Sequence, residues 1–339
     1  MGRAGARRPE ARTARARPEV GAVRVATRRS DLARAQAAQA ARLVAGDAFE
    51  LVALASTGDL HPERAIADFN AKGLFVDAIR EAVLAGDCDV AVHSYKDLPT
   101  EPVDGLVVGA VPPREDPRDL LVTRDGHHLA SLPDNAIVGT SSERRRLQLL
   151  RVRPDLQVLP VRGNLPTRLG KVASGELDAV VVALAGLRRL YRDPAEGGIG
   201  ALDLAVAGAP LEPGQCLPSP AQGALAIECR ADDRATLAAL ASADDPDARA
   251  AVTAERAFLT TIGGGCSAPI GALASSPVPG VLEIAGLLAD PGRRRVLRKS
   301  QRGTLHDPTG LGRALAEEML ESGGRSLVEA IDARRRDAS

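Results

Sequence analysis

Apolar and polar positions alternate along the first block of the chain in a pattern typical of buried strands separated by amphipathic helices. Short apolar runs predict the strands, which are residues 22–27, 49–56 and 88–94. One helix is predicted after Ser30, a typical N-cap residue, and it ends before Gly46. A second helix is predicted over residues 73–87. Strands and helices that alternate in this way indicate a parallel or mixed sheet with crossover helices.

The same alternation returns in a second block, and a third block differs from both. In the second block the predicted strands are residues 119–124, 136–140, 156–161 and 223–230. Its helices are predicted at residues 142–152 and 165–175. Residues 177–187 are predicted to form a strand that runs into a short helix. The third block begins near Asp247 with a helix that ends in three glycines, and it continues as a separate α+β unit. Its strands and helices are predicted at residues 268–275, 281–290, 294–303, 310–322 and 325–333.

Length, composition and charge limit the classes of function. The 339 residues exceed what one hydrophobic core usually covers, so two or three domains are expected. Aromatic residues make up only 2% and tryptophan is absent, which leaves few platforms for stacking nucleic-acid bases. The formal net charge is zero, which argues against a nucleic-acid-binding protein driven by overall charge. No apolar run approaches the roughly 18 residues of a membrane span, so no membrane partner is expected.

The cysteines and the N-terminal residues bear on metal binding and location. None of Cys88, Cys216, Cys229 and Cys266 has the spacing of a zinc site, so no metal is expected. The chain is interpreted as cytoplasmic, with reduced thiols. The Arg- and Ala-rich residues 1–20 lack the apolar middle of a secretory signal. A disordered leader is the preferred interpretation of this segment, with an organellar transit peptide as the alternative.

Basic and hydroxyl side chains collect where predicted strands end, which is where open α/β sheets bind ligands. The window 139–168 holds seven arginines against two acids. Thr140, Ser141 and Ser142 stand at a predicted helix N-terminus, where free N–H groups and the helix dipole favour anions. Arginines that flank strand ends predict a polyanionic ligand, because guanidinium groups bind carboxylate or phosphate in a bidentate manner. These are Arg144, Arg145, Arg162 and Arg168, whereas Arg146, Arg151 and Arg153 fit a solvated helix face better.

Two further positions are candidates for chemistry. Asp97 follows a predicted buried strand in "HSYKDLP", where a carboxylate can stabilise a developing cation or transfer a proton. Neighbouring Lys96 can keep Asp97 ionised or bind an anionic substituent itself, although an ordinary Asp-Leu-Pro turn explains these residues equally well. His93 is interpreted as structural. Cys266 follows three glycines, which fits either a turn with a small buried residue or a thiol that a ligand must reach.

Several long segments resemble the porphobilinogen deaminase (hydroxymethylbilane synthase) family, in the family's order from about residue 22 to near the C-terminus. Among them are "RVATRRSDLARAQA" (24–37), "KGLFVDAIREAVLAGDCDVAVHSYKDLPT" (72–100), "IVGTSSERRRLQLLRVRPDLQVLPVRGNLPTRL" (137–169) and "VTAERAFLTTIGGGCSAPIGA" (252–272). The resemblance implies a transferase of haem and porphyrin biosynthesis. Such an enzyme joins four molecules of its substrate porphobilinogen head to tail, releases ammonia each time, and then frees hydroxymethylbilane by hydrolysis.

The resemblance also implies an α/β fold with three domains. Two lobes are expected to resemble type II periplasmic binding proteins and to enclose the active site between them. Domain 1, the discontinuous catalytic lobe, is expected at residues 21–115 and 222–241, and domain 2 at residues 116–221. A smaller α+β domain, residues 242–339, is expected to carry the cofactor cysteine. A monomer is expected.

Individual roles follow from the same resemblance. Cys266 is the implied attachment point of dipyrromethane, a covalent cofactor assembled from substrate. Asp97 is the implied catalytic residue, which contacts pyrrole N–H groups, assists loss of the amino group and steadies a cationic azafulvene. Carboxylates of cofactor and substrate are expected to bind Arg28, Ser30, Lys96, Thr140, Ser141, Ser142, Arg144, Arg145, Arg162 and Arg168. Lid and hinge positions are implied at Lys72, Gly73, Phe75, Gln222 and Gly223.

The chain departs from the family's usual motifs in three places. Asn70 and Ala71 stand where relatives often have two glycines, which changes the expected flexibility of a loop over the cleft. Thr57 stands where relatives often have arginine, so one cleft cation is expected to be missing. The segment "LPSPAQGAL" replaces a commoner variant. None of these removes Asp97 or Cys266. The competing interpretation is a two-lobed protein that binds a small anion without chemistry.

Overall fold

The computed structural model describes residues 22–54, 71–191, 206–263, 268–290, 292 and 295–337. The predicted leader, Thr57, Asn70 and Cys266 lie outside these described residues. Within the described ranges, no helix combines the length and the apolar character that crossing a lipid bilayer requires.

The described strands and helices are numbered in chain order. The strands are β1 (Val23–Arg28), β2 (Phe49–Leu54), β3 (Val90–Ser94), β4 (Leu106–Ala110), β5 (Asp119–Thr123), β6 (Ile137–Gly139), β7 (Gln157–Leu159), β8 (Ala179–Ala183), β9 (Ala207–Leu211), β10 (Leu225–Arg230), β11 (Ile270–Ser275), β12 (Val281–Asp290) and β13 (Arg295–Thr304). The helices are α1 (Asp31–Ala45), α2 (Ala71–Leu84), α3 (Glu143–Val152), α4 (Leu165–Ala173), α5 (Leu184–Tyr191), α6 (Arg234–Leu240), α7 (Pro246–Ile262), α8 (Pro308–Met319) and α9 (Arg325–Asp337).

The first lobe, called lobe 1 below, is built on a five-stranded sheet with the order β2-β1-β3-β10-β4. Strand β1 pairs in parallel with β2 and β3, whereas β10 is antiparallel to both β3 and β4. Successive side chains of a strand point to opposite faces, so each strand serves two cores. Val25 packs in the core that contains alanines of α1, and its neighbour Ala26 packs in the core that contains Ile79 of α2. The sheet is therefore buried on both faces.

The second lobe, lobe 2 below, repeats this architecture with the sheet order β7-β6-β8-β5-β9. Strand β6 is parallel to β7 and β8, and β5 is antiparallel to β8 and β9. Leu121 and Val181 lie in one core, and Leu120 and Val180 lie in the core on the opposite face. Both lobes thus place the carboxyl ends of their central parallel strands at one edge of a buried mixed sheet.

The C-terminal domain consists of the antiparallel sheet β11-β12-β13 and the helices packed on it. Phe258 of α7 is fully buried in its core. A Cβ atom at Gly312 of α8 would lie 2.1 Å from the carbonyl oxygen of Ala254 in α7, so only glycine allows these helices to approach so closely. The domain is a compact α+β unit, as the third block of the sequence predicts.

Two segments connect the lobes, residues 111–118 from β4 to β5 and residues 212–224 from β9 to β10. They meet where Glu115 N donates to Gly223 O at 3.3 Å. Gly223 has a φ of +89°, and a Cβ atom there would lie 2.3 Å from the carbonyl oxygen of Glu115. Only glycine fits this crossing. The hinge role implied for Gly223 stays a prediction.

The predicted fold class, two α/β lobes and a smaller α+β domain, is confirmed. Ser30 caps α1 and Ser142 caps α3, as the sequence predicts. The hydrophobic pattern did not predict the strands β4 and β9. Both lie at the edge of a sheet and pair antiparallel to a single neighbour, where partial exposure weakens the apolar signal and Pro210 is tolerated.

Candidate active site

The side chain of Gln222 forms hydrogen bonds to both lobes where their edges face each other. Strand β3 ends at Ser94 and leads into a single 3₁₀ turn, Tyr95–Asp97. Lys96 Nζ in this turn donates to Gln222 Oε1 at 3.2 Å. Gln222 Nε2 donates in turn to Oδ1 of Asp119 at 2.8 Å, and Asp119 is the first residue of β5. Through these two hydrogen bonds the buried side chain of Gln222 ties the turn of lobe 1 to the sheet of lobe 2.

Asp119 is the centre of a buried cluster with two arginines of α3. Arg144 Nη1 donates to Asp119 Oδ2 at 2.8 Å and to the carbonyl oxygen of Leu217 at 2.6 Å. Arg145 Nε and Nη2 donate to Asp119 Oδ1 at 3.1 and 2.7 Å, and its Nη1 donates to the carbonyl oxygen of Val181 at 2.9 Å. One carboxylate neutralises only one of these two guanidinium charges. The cluster therefore keeps an excess positive charge, to which Lys96 adds.

The electrostatics of the site follow from this arrangement. Burial alone would raise the pKa of Asp119, but the charges and hydrogen bonds of Arg144 and Arg145 outweigh it and hold that pKa well below its usual range. Burial lowers the pKa of Lys96 to about 8, the carboxylates of Asp97 and Asp119 oppose this shift, and the two arginines add to it. Lys96 is thus a cation whose charge changes near neutral pH, beside arginines that stay charged.

The hydroxyl residues after β6 form the N-terminal end of α3. Ser142 Oγ accepts from Arg145 N at 3.4 Å, and Thr140 Oγ1 accepts from Ser142 N at 3.2 Å. Ser141 Oγ donates to the carbonyl oxygen of Val161 at 2.7 Å and is exposed on the surface. These contacts join the ends of β6 and β7, so the helix N-terminus stands at the edge where the arginines converge.

The remaining predicted anion-binding residues differ in how closely they approach this cluster. Burial and the charge of Arg145 both lower the pKa of Arg168, whose Nε donates to the carbonyl oxygen of Gly163 at 2.8 Å. Arg162 is exposed. Arg28 ends β1, which runs parallel to β3, so it stands at the same sheet edge as the turn. The Ser30 hydroxyl is occupied as the N-cap of α1, where it accepts from Ala33 N.

The carboxylate of Asp97 differs in exposure from the buried strand that precedes it. Strand β3 is buried as predicted, but Asp97 is exposed because it is the last residue of the turn that leaves the sheet. No side chain in the described part of the chain forms a hydrogen bond or ion pair with its carboxylate. Its two oxygens are therefore available to a ligand, beside the ammonium group of Lys96.

Several other predicted positions can be placed only in part. Cys266 lies outside the described residues, four positions after Ile262, where α7 ends. Lys72, Gly73 and Phe75 lie in the first turns of α2. Their lid role stays a prediction.

Arg146, Arg153 and His93, which the sequence assigns to a solvated helix face or to a structural role, lie away from the charged cluster. Arg146 pairs with Glu143 at 2.8 Å and Arg153 pairs with Asp155 at 2.6 Å, both on the surface of lobe 2. His93 Nε2 lies 3.1 Å from Glu228 Oε2 inside lobe 1. Cys88, Cys216 and Cys229 are buried free thiols, and burial raises the pKa of each of them. Cys216 belongs to the charged cluster, because its Sγ donates to Asp119 Oδ2 at 3.3 Å.

Sequence reasoning missed two buried acids that organise the site. Asp119 was included only as the first letter of a predicted strand, although an acid at the start of a buried strand needs a basic partner. Glu255 on α7 accepts from Arg114 Nη1 at 2.7 Å and from the backbone N–H groups of Ala221 and Ala274 at 2.6 and 2.7 Å. It ties both connecting segments to the C-terminal domain. The available signal in the sequence was a glutamate on the inner, apolar face of a predicted helix.

The chain is similar to porphobilinogen deaminases over most of its length. The family model described as "Porphobilinogen deaminase, dipyromethane cofactor binding domain" matches residues 23–238, and "Porphobilinogen deaminase, C-terminal domain" matches residues 249–321. The curated porphobilinogen deaminase of Acidothermus cellulolyticus is 45% identical over 314 residues, which cover 91% of each chain. That of Mycobacterium tuberculosis is 46% identical over 320 residues, 90% of this chain and 98% of the relative. Among solved structures, a Salmonella typhimurium periplasmic binding protein with high arginine specificity gives a TM-score of 0.34 at 13% identity. The match covers 66% of this chain and 91% of that one, and nothing further follows from so weak a likeness.

Proposed function

This chain belongs to the porphobilinogen deaminase family, an enzyme family of tetrapyrrole synthesis, and we propose that it is the transferase that joins four porphobilinogen molecules head to tail on dipyrromethane. Ammonia leaves at each addition, and hydrolysis then frees hydroxymethylbilane. We propose a monomer that works in the cytoplasm. The observation that carries the proposal is the accessible Asp97 carboxylate, held on a tight turn beside Lys96 and the excess positive charge around Asp119.

The donor set of the site fits the cofactor and the substrate. Each pyrrole carries an acetate and a propionate, so a site for two or more pyrroles has to bind several carboxylates. Arg144, Arg145 and Lys96 lie together around Asp119, and the charge of Arg145 lowers the pKa of Arg168. Guanidinium groups held in a fixed orientation bind carboxylates strongly where water is partly excluded. In this proposal Arg28, Ser30, Arg162 and the hydroxyl groups of residues 140–142 complete the binding surface.

Asp97 performs the central task in this proposal. Positive charge develops on the pyrrole of porphobilinogen as its amino group leaves. A carboxylate that is fixed in place before the reaction stabilises such charge without having to reorganise. The two Asp97 oxygens also accept hydrogen bonds from pyrrole N–H groups, which orients the ring, and they can hold the proton that is transferred.

Cys266 is the proposed anchor of the cofactor. When bound, dipyrromethane supplies the pyrrole to which the first substrate molecule is joined. A thioether at Cys266 would stay intact through every cycle, so the cysteine holds the growing chain while Asp97 and the cations act on each new unit. The residues that hold the free carboxylates would be Lys96, Arg144, Arg145 and Arg168.

The test replaces Asp97 with asparagine, which has the same shape and leaves the turn intact. Asp97→Asn should fold, retain the covalent cofactor and lose roughly 10²- to 10⁴-fold in turnover, because the neutral amide cannot stabilise the cation or hold its proton. Turnover is measured as ammonia release and hydroxymethylbilane formation. Asp104→Asn, an exposed acid elsewhere in lobe 1, is the matched control and should keep wild-type turnover.

Mass spectrometry tests the anchor separately. The intact wild-type protein should carry the added mass of two pyrrole units and redden with Ehrlich's reagent, and Cys266→Ala should show neither. Active protein with an unmodified Cys266 would contradict the proposed anchor. Near-normal turnover by Asp97→Asn would contradict the proposed catalytic residue, and wild-type protein that binds porphobilinogen without releasing ammonia would favour the non-catalytic alternative.

A further inference from the structure

Helix α7 of the C-terminal domain reaches lobe 1 through Arg256, which contacts the turn that carries Asp97. Arg256 Nη1 donates to the carbonyl oxygen of Leu98 at 2.9 Å, and Nη2 donates to that of Pro99 at 2.6 Å. The guanidinium also stacks on Tyr95, with its Cζ 4.6 Å from the centre of the ring. Arg256 Nη1 also donates to the carbonyl oxygen of Tyr95 at 3.5 Å. Tyr95 begins the turn and Leu98 follows it directly, so Arg256 holds the backbone on both sides of Asp97.

The position of the Asp97 carboxylate depends on this backbone. Within the ranges that the structure describes, no side chain holds the carboxylate itself. The turn is short, and its closing hydrogen bond runs from Leu98 N to the carbonyl oxygen of Tyr95 at 3.2 Å. A turn of three residues with one internal hydrogen bond has little rigidity of its own. Contacts from outside the turn therefore decide where the carboxylate stands.

Arginine is suited to this contact in a way that lysine is not. Its planar guanidinium offers donors in fixed directions, so it can bind two successive carbonyl oxygens while its face covers an aromatic ring. Burial lowers the pKa of Arg256 from its ordinary value, and the group remains charged. In the described residues no carboxylate forms an ion pair with it. Its hydrogen bonds instead go to the backbone of the turn.

We propose that Arg256 is a positioning residue that fixes the Asp97 turn relative to helix α7. The proposal rests on the catalytic role proposed above for Asp97. Cys266 follows the end of the same helix by four positions. One helix would thereby set the place of the catalytic carboxylate in lobe 1 and the starting point of the segment that carries the cofactor anchor.

Another arginine of the same helix provides a matched control. Arg249 also reaches lobe 1 and donates to backbone carbonyl oxygens, those of Val108 at 3.4 Å and Gly109 at 3.2 Å. It also binds the Asp244 carboxylate. It touches β4 and not the Asp97 turn. Arg249→Gln therefore removes a comparable contact between α7 and lobe 1 and leaves the turn alone.

The experiment compares Arg256→Gln with Arg249→Gln, and both rates are counted per molecule that carries the cofactor, as measured with Ehrlich's reagent. Arg256→Gln should lower kcat roughly 10- to 100-fold, because a displacement of about 1 Å can cost that much, and should change KM by less than about threefold. Arg249→Gln should keep kcat within about threefold of wild type. Equal losses of kcat in the two variants would overturn the positioning role.

A double variant shows whether Arg256 acts through Asp97. In the Asp97→Asn background there is no carboxylate left to position, so adding Arg256→Gln should reduce the residual turnover by less than about twofold. If it reduces the residual turnover by the full 10- to 100-fold, Arg256 acts by another route and the proposal is wrong. Failure of the catalytic proposal looks different, since Asp97→Asn alone would then be active whatever the Arg256 variants do.

Discussion

Lobe 1 buries Glu228 in the middle of β10, and lobe 2 buries Asp119 at the start of β5. Glu228 accepts from Arg80 Nε and Nη2 at 2.9 and 2.8 Å, and His93 lies beside it. Burial alone would raise the pKa of Glu228, but Arg80 and His93 lower it to about 2. Asp119 is held in the same manner by Arg144 and Arg145.

The two clusters differ in charge balance and in place. Glu228 faces one permanent cation, Arg80, so the pair is neutral and closed within the lobe. Asp119 faces two permanent cations at the sheet edge where Lys96 and Gln222 also converge. A balanced pair in mid-sheet stabilises the fold and leaves nothing over for a ligand. An unbalanced cluster at the edge stabilises the fold and also retains charge for an anion, so in the proposed function Asp119, and not Glu228, belongs to the binding site.

The largest expected effect lies in the closed cluster, and it should be confined to stability. Arg80→Gln leaves the buried Glu228 carboxylate without its permanent cation, so the free energy of unfolding should fall by about 3–5 kcal/mol. Urea unfolding followed by circular dichroism measures this loss. Turnover per folded, cofactor-bearing molecule should stay within about threefold of wild type. A selective loss of turnover at unchanged stability would mean that the Glu228 cluster takes part in function, which would contradict the distinction between the two clusters.

Arg145→Gln is the counterpart in the cluster at the sheet edge. It removes one of the two cations that hold Asp119 and should also destabilise the fold. In contrast to Arg80→Gln, it should reduce kcat/KM per folded, cofactor-bearing molecule by roughly 100-fold, because a preorganised carboxylate partner is lost. The test measures kcat/KM of both variants by steady-state kinetics, under conditions in which the same fraction of each protein is folded. If both variants keep kcat/KM within threefold, the excess charge around Asp119 has no role in binding.

The smallest effect concerns the protonation of Lys96. Its pKa is lowered from 10.5 to about 8, so the free enzyme loses this charge as pH rises through 8, where an ordinary lysine would stay protonated. Between pH 7.5 and 9, kcat/KM for porphobilinogen should fall roughly eightfold, the change in the charged fraction of such a group. Lys96→Arg keeps its charge and should flatten this part of the profile. A profile that is the same in both proteins would exclude Lys96 from anion binding.

The sequence predicted most of the fold because the central strands and their crossover helices have strong, regular hydrophobic patterns. The edge strands β4 and β9 were missed, since half-exposed strands that contain glycine or proline carry little pattern of their own. Both belong to antiparallel pairs whose partners lie far away in sequence. Their existence depends on tertiary pairing and not on local preference.

The site was predictable as a set of positions but not as a network. Residues such as Lys96 and Arg145 were identified from strand ends and from the family resemblance. Which of them bind each other depends on where the two lobes meet, so no local pattern indicates that Gln222 connects Lys96 to Asp119. The exposure of Asp97 was likewise decided by the geometry of one turn. Arg256 was hidden in an amphipathic helix, where its partner in lobe 1 leaves no local trace.

The place of β10 in the first sheet also affects how the chain can fold during its synthesis. Strand β4 ends at Ala110 and β10 begins at Leu225, yet β10 lies between β3 and β4. The ribosome therefore completes lobe 2 before it delivers the strand that closes lobe 1, and until then β3 and β4 lack their shared neighbour. Such long-range pairing slows folding and leaves strand edges open to wrong partners. The lobe that carries Asp97 is begun first and finished after lobe 2.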